Sequence, residues 1–162
     1  MNRVNVDGVD WDETDRSEQV GWRRKRLAAA AGGDDLGCSL YELPPGKRAW
    51  PYHYHAGNAE ALYVLSGEGT VRHADGTTPI RAGDYVALPA GEDGAHRVVN
   101  DAEDVLRYLA MSTMRDPDVL VYPDSDKVGA MGGAPPGGTG ERDVDAYFRR
   151  DDAVDYWDGE DG

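Results

Sequence analysis

Within residues 46–67, GKRAWPYHYHAGNAEALYVLSG, two histidines stand one residue apart and a glutamate follows five positions after the second. Residues i and i+2 of a strand point the same way, so His53 and His55 can aim their imidazoles at one point while Tyr52 and Tyr54 face away. The AGNA that follows is turn-like. A reversal there brings Glu60 into the same space and puts Leu62 and Val64 on the glutamate's side. Two neutral imidazoles and a carboxylate suit a divalent transition metal, and three ligands from one hairpin leave coordination positions open. A fourth ligand is expected downstream. Residues 83–100, GDYVALPAGEDGAHRVVN, offer a turn glycine, a short apolar strand Tyr85–Leu88, a Pro-Ala-Gly turn and then His96 opening another strand.

These two stretches resemble the paired motifs of the cupin superfamily. The first motif, G-x5-H-x-H-x3,4-E-x6-G, is filled by Gly46, His53, His55, Glu60 and Gly67, with one extra residue before the first histidine. The second, G-x5-P-x-G-x2-H-x3-N, is filled by Gly83, Pro89, Gly91, His96 and Asn100, with two extra residues before the histidine. Both departures are loop insertions. The resemblance implies a metal held by His53, His55, Glu60 and His96 inside an all-β double-stranded β-helix, the cupin jelly-roll barrel. Fe, Mn, Ni, Co and Zn all suit that ligand set. Cupins of this type include dioxygenases, isomerases, epimerases and binding proteins, so the fold does not choose among activities. The implied function is to bind or convert a small oxygen-bearing molecule, a sugar or a carboxylate, at the metal. If the chain is an enzyme, a metal-dependent dioxygenase or an isomerase/epimerase is expected; the alternatives are a non-catalytic binding module and a purely structural metal.

The pocket wall is sought among residues that flank or follow the ligand strands: Tyr41, Arg48, Trp50 and Tyr108. His73, just before the Asp75-Gly76 turn, is read as a solvated histidine outside the site.

With 162 residues and 40% hydrophobic content the chain can bury one moderate core, which leaves no room for a second domain. The 21 glycines and 9 prolines fall between short apolar runs, as an all-β barrel requires. Net charge is -14, carried by 22 Asp and 9 Glu against 14 Arg and 3 Lys. Such a balance resembles halophilic proteins, where salt screens the self-repulsion and dense carboxylates keep the surface hydrated. It disfavours nucleic acid as a partner, because phosphates are repelled and no long basic face compensates. Cys38 is the only cysteine, so no internal disulfide is expected; it reads as a small residue of an apolar strand. No run approaches the ~20 apolar residues of a membrane helix, and a soluble, cytoplasmic protein is expected.

Residues 1–21 read as an extended N-terminal arm whose Val4, Val6, Val9 and Trp11 lie against the barrel or a second subunit. Residues 22–122 read as the barrel. The basic stretch at 22–30, WRRKRLAAA, fits one arm of a hairpin with the strand Leu36–Leu43, its arginines facing solvent or neighbouring aspartates; its alanines make a helix the other option. Residues 119–122 read as the last strand. Residues 123–162 read as a Gly/Pro-rich loop with little regular structure and a tail whose Tyr147, Phe148, Tyr156 and Trp157 pack on the barrel. A homodimer is expected, with the arm's apolar residues available for exchange between subunits.

Overall fold

The apolar residues of this chain recur at every second position over short runs, and the computed structural model, which describes residues 1–160, turns those runs into strands. Strands β1 (Asp12–Ser17), β2 (Val20–Arg26), β3 (Leu36–Leu43), β5 (Glu60–Ser66), β8 (Tyr85–Leu88) and β10 (Leu106–Thr113) form a six-stranded sheet in the order β1-β2-β3-β10-β5-β8. A second sheet runs β7-β6-β9, from β6 (Glu68–His73), β7 (Gly76–Arg81) and β9 (Arg97–Val99). A third runs β13-β12-β11-β4, from β4 (Tyr54–His55), β11 (Asp118–Tyr122), β12 (Lys127–Gly132) and β13 (Val144–Arg149). The expected all-β double-stranded β-helix is the fold that forms.

The main core lies between the first two sheets, where Leu43, Val64 and Leu106 are completely buried beside Leu62, Val71, Ile80 and Val98. Each such side chain contributes about 1.5–3 kcal/mol by leaving water. Alternation along β5 sends Glu60, Leu62 and Val64 to the interior and leaves Tyr63 and Leu65 exposed. A smaller cluster of Leu120, Tyr122 and Met131 closes the third sheet.

Two buried asparagines hold the connections that carry the site. Asn58 accepts from the Arg115 amide at 2.7 Å and donates to the Arg115 carbonyl at 3.1 Å, which pins the reversal between β4 and β5. Asn100 donates to the carbonyls of Leu43 at 2.7 Å and Asp104 at 2.8 Å, tying the end of β9 to β3. Gly67, the last residue of the first motif, turns the chain at φ +80 where a Cβ would meet the Val105 carbonyl oxygen at 2.5 Å. A side chain there is excluded both by backbone conformation and by space.

The structure departs from the sequence reading at three places along the strands and again in the tail, where Phe148, Tyr156 and Trp157 are 54%, 83% and 63% exposed instead of packed on the barrel. Residues 12–17 form an edge strand paired with β2. DETDRS has no apolar alternation to announce it; it is held by the ladder and by ion pairs of Asp12 with Arg24 and Arg26, while Trp11 lies under Arg23 and Lys25 at 4.5 and 4.8 Å from its ring centroid. Residues 22–30 divide between the two options considered: a strand to Arg26 and then one helical turn, α1 (Leu27–Ala30), where the alanines take over. Residues 119–122 are not the last strand. Asp126, in the left-handed region at φ 46, reverses the chain so that β12 pairs with β11 and then with β13. Glycines within KVGAMG weaken the strand signal, and only pairing with neighbours on both sides makes this segment a strand. Among the described residues, no helix is long and apolar enough to cross a membrane.

Candidate metal centre

Prolines at positions 44, 45 and 51 keep the chain before the histidines from joining a continuous ladder, so β4 is only two residues long. His53 is instead fixed by reciprocal backbone hydrogen bonds with His96: its amide donates to the His96 carbonyl at 3.2 Å, and the His96 amide donates back at 2.9 Å. His55 pairs with Leu120 of β11. Glu60 opens β5 between Ser112 and Leu88, at the end of the sheet that faces the histidines.

Ligand atoms of His53, Glu60 and His96 lie within 4.8 Å of one another. His55 stands outside that mutual set, yet its Nε2 lies 3.5 Å from Glu60 Oε2, the same distance as His96 Nε2. The orientation of all three rings follows from their other nitrogen. His53 Nδ1 is 2.8 Å from the Pro51 carbonyl oxygen, His96 Nδ1 is 2.9 Å from that of Gly94, and His55 Nδ1 is 2.6 Å from Asp118 Oδ2. Each of these acceptors requires Nδ1 to carry the proton, so the neutral ring keeps its lone pair on Nε2. Three Nε2 lone pairs and one carboxylate are a donor set suited to a borderline divalent ion.

Electrostatics favour neutral imidazole at two of the three positions. Burial, with the neighbouring His96 and His55, pushes His53 down to about 3. Burial also lowers His96, against the pull of Glu60. For His55 burial acts in the same direction, but the hydrogen bond to Asp118 and the charge of Glu60 outweigh it and the net shift is upward. Asp118 is itself held below the usual carboxylate range: burial opposes this, and hydrogen bonds from His55 and the Gly57 amide prevail.

The centre opens into a cavity of about 780 Å³. Tyr41, Trp50 and Tyr108 line it. The two tyrosine rings stack at 5.2 Å, and Trp50 Nε1 donates to the Tyr41 hydroxyl at 3.2 Å. Burial raises both phenols above their ordinary range, so they are neutral hydrogen-bonding groups at physiological pH. Arg48 is not in the wall: its guanidinium donates to Gln19 Oε1 at 2.6 Å on the outer side. The proline-rich bend before it points the side chain toward the N-terminal hairpin. His73 lies away from the centre, half-buried, with Nε2 3.0 Å from Thr78 Oγ1.

Sequence reasoning missed Asp118, Tyr122 and Arg24. Asp118 is buried and also accepts from the Gly57 and Val119 amides, both at 2.9 Å. The one signal for it was an acid heading the apolar run VLVY, a position where an unpaired charge would be costly. Tyr122 stacks on His53 at 5.9 Å. Arg24 reaches the cavity because β2 alternates, with Trp22, Arg24 and Arg26 on the inner face and Arg23 and Lys25 on the outer.

Known proteins agree with this architecture. An oxalate-binding protein of Thermotoga maritima is 36% identical over 70 residues, 43% of this chain and 55% of that protein, so the match spans little more than half of the relative's length. A candidate sugar phosphate isomerase from Acidithiobacillus ferrooxidans superposes with a TM-score of 0.77 at 27% identity, covering 92% of this chain and 90% of its own. A cupin-superfamily sugar phosphate isomerase from Silicibacter pomeroyi gives a TM-score of 0.79 at 23% identity over 96% and 98% of the two chains, a likeness of fold. Residues 39–112, which hold both histidine motifs, match the family described as the cupin domain, and over that segment the chain carries a cupin domain.

Proposed function

We propose that the protein binds a divalent metal through His53, His55, Glu60 and His96 and uses the ion's remaining positions to bind or convert a small oxygen-bearing molecule, a sugar or a carboxylate. The observation that carries this reading is the triple Nδ1 anchoring, which commits all three Nε2 lone pairs toward Glu60. An ion held there supplies Lewis acidity toward a bound oxygen and lowers the pKa of bound water. The chain's own residues do the rest. Asp118 fixes the tautomer of His55 and strengthens it as a donor, as carboxylate partners of ligand histidines generally do. Tyr41 and Tyr108 offer neutral hydroxyls to ligand oxygens, and Tyr122 covers one face of His53 against water.

Conversion is supported by the 27% identical candidate sugar phosphate isomerase, which matches nearly end to end. A second reading, capture without turnover, is supported by the 36% identical relative described as oxalate-binding. Both use the same site. Mass-spectrometric identification of the metal in purified protein, followed by sugar phosphate isomerisation and oxygen-uptake assays, separates them. Metal with turnover on either class is the expected result; metal with ligand binding and no turnover selects the second reading, and absence of any first-row transition metal defeats both. The same reading includes a homodimer, for which light scattering of purified protein is the check.

A further inference from the structure

The six-stranded sheet carries charge where a barrel interior should be apolar. Strand register sets Arg24 beside Tyr41, and Tyr41 beside Tyr108, in one row across the inner face; Arg26 stands beside Ser39 in the next row. Both arginines line the same cavity as Glu60 and the histidines. Arg24 is largely covered, with its side chain 15% exposed, and its Nε is buried without a hydrogen-bond partner among the described residues. A guanidinium nitrogen in that condition is costly unless something else occupies its front.

Asp12 does not fill that role. Its carboxylate, 54% exposed, accepts from one nitrogen of each arginine, Arg24 Nη2 at 3.3 Å and Arg26 Nε at 2.8 Å, and holds the pair together from outside the cavity lining. Trp50, 5.8 Å from the Arg24 guanidinium, supports it from the side. The cavity's other arginines are engaged differently. All three guanidinium nitrogens of Arg142 donate to Ala134, Pro135 or Asp145, and Arg97 reaches Asp124 at 3.4 Å through Nη2, although its Nε, like that of Arg24, is buried without a partner among the described residues. In a chain of net charge -14 the overall field repels anions, so a local pair of inward cations is the feature that would admit one.

We infer that Arg24 and Arg26 form an oxyanion-binding wall in the cavity shared with the proposed metal ligands, so that the molecule taken by this site carries a carboxylate or phosphate group in addition to the oxygen presented to the metal. The inference rests on the function proposed above and names its substrate class. Guanidinium forks match either anion by paired charge-assisted hydrogen bonds.

The test is calorimetric titration of the full-length protein, as purified, with inorganic phosphate in one arm and malonate in the other, on the wild type and on Arg24→Met, Arg26→Met and the surface control Arg81→Met. Metal content is measured in each sample. The expected result is binding of at least one probe that weakens by about tenfold or more in both cavity variants and stays unchanged in the control. The arm with the tighter binding identifies the anion. Should Arg24→Met fail to fold, the more exposed Arg26 and an Asp12→Asn variant decide instead: Arg26→Met weakens the probe, and Asp12→Asn, by releasing both guanidiniums, tightens it. Failure of both probes to bind the wild type, or equal affinity across the arginine variants, overturns the inference. A wild type without metal that still shows arginine-dependent anion binding overturns the metal reading alone.

Discussion

Asp118 Oδ2 lies 2.6 Å from His55 Nδ1 although 63 positions separate the two residues. The carboxylate is buried and receives two backbone amides as well, so the imidazole is held by a partner that is itself immobile. Replacing Asp118 with Asn removes the charge while keeping the shape. Metal affinity should fall about 10–100-fold, as for other partners of ligand histidines. Competition against a chromophoric chelator measures this, and an unchanged affinity would show that Asp118 serves the fold alone.

Acid should loosen the metal-free protein. His53 is held at about 3 and His96 below its ordinary value, so between roughly pH 6.5 and 3 the unfolded chain binds more protons than the folded one. Stability from these two groups is therefore present above the unfolded value and lost as pH falls through that window. His55, shifted upward, works in the opposite sense: its contribution is full below the unfolded value and disappears as pH rises through the folded one. Two lowered groups against one raised group give a net loss on acidification, on the order of a few kcal/mol. Denaturant melts of chelated protein at pH 7 and pH 5 should show it, and a His53→Asn variant should flatten the dependence. Equal stability at the two pH values would contradict the assignment.

Removing one ligand should separate metal binding from folding. Glu60→Gln keeps the volume and deletes the charge that His55 and His96 both face at 3.5 Å. Metal occupancy should drop while the circular dichroism spectrum stays that of a β protein. Saturating metal should then raise the melting temperature of the wild type and not of the variant, since a ligand at a hundred times its Kd adds about 2.7 kcal/mol.

Gly67 should tolerate no side chain. Its φ of +80 disfavours any L-residue, and a Cβ would press on the Val105 carbonyl oxygen at 2.5 Å. Gly67→Ala should cost at least about 1–3 kcal/mol in urea unfolding. A change within about 0.5 kcal/mol would mean that the turn can reshape freely.

The all-β class and the shared face of the two histidines were readable from spacing, because the geometry involved is local, while the barrel and the four-ligand set came from the resemblance of the two motifs to those of cupins. Residues one apart on a strand share a face whatever surrounds them, which aligns His53 with His55 and Glu60 with Leu62 and Val64. Other features depended on which strand lies beside which. The hydrogen bond from His55 to Asp118 arises from the pairing of β11 with β4, and Arg24 meets Tyr41 through the register of β2 on β3. Arg48, close to the ligands in sequence, turns to Gln19 because a proline-rich bend intervenes. Strands β1 and β12 lack a pattern of their own and become strands by borrowing hydrogen bonds from neighbours. The sequence by itself determined the fold class and the set of chemically capable side chains; tertiary structure alone decided how those side chains are buttressed and which charged groups share their cavity, since inter-strand register is a property of the whole sheet and not of any short segment.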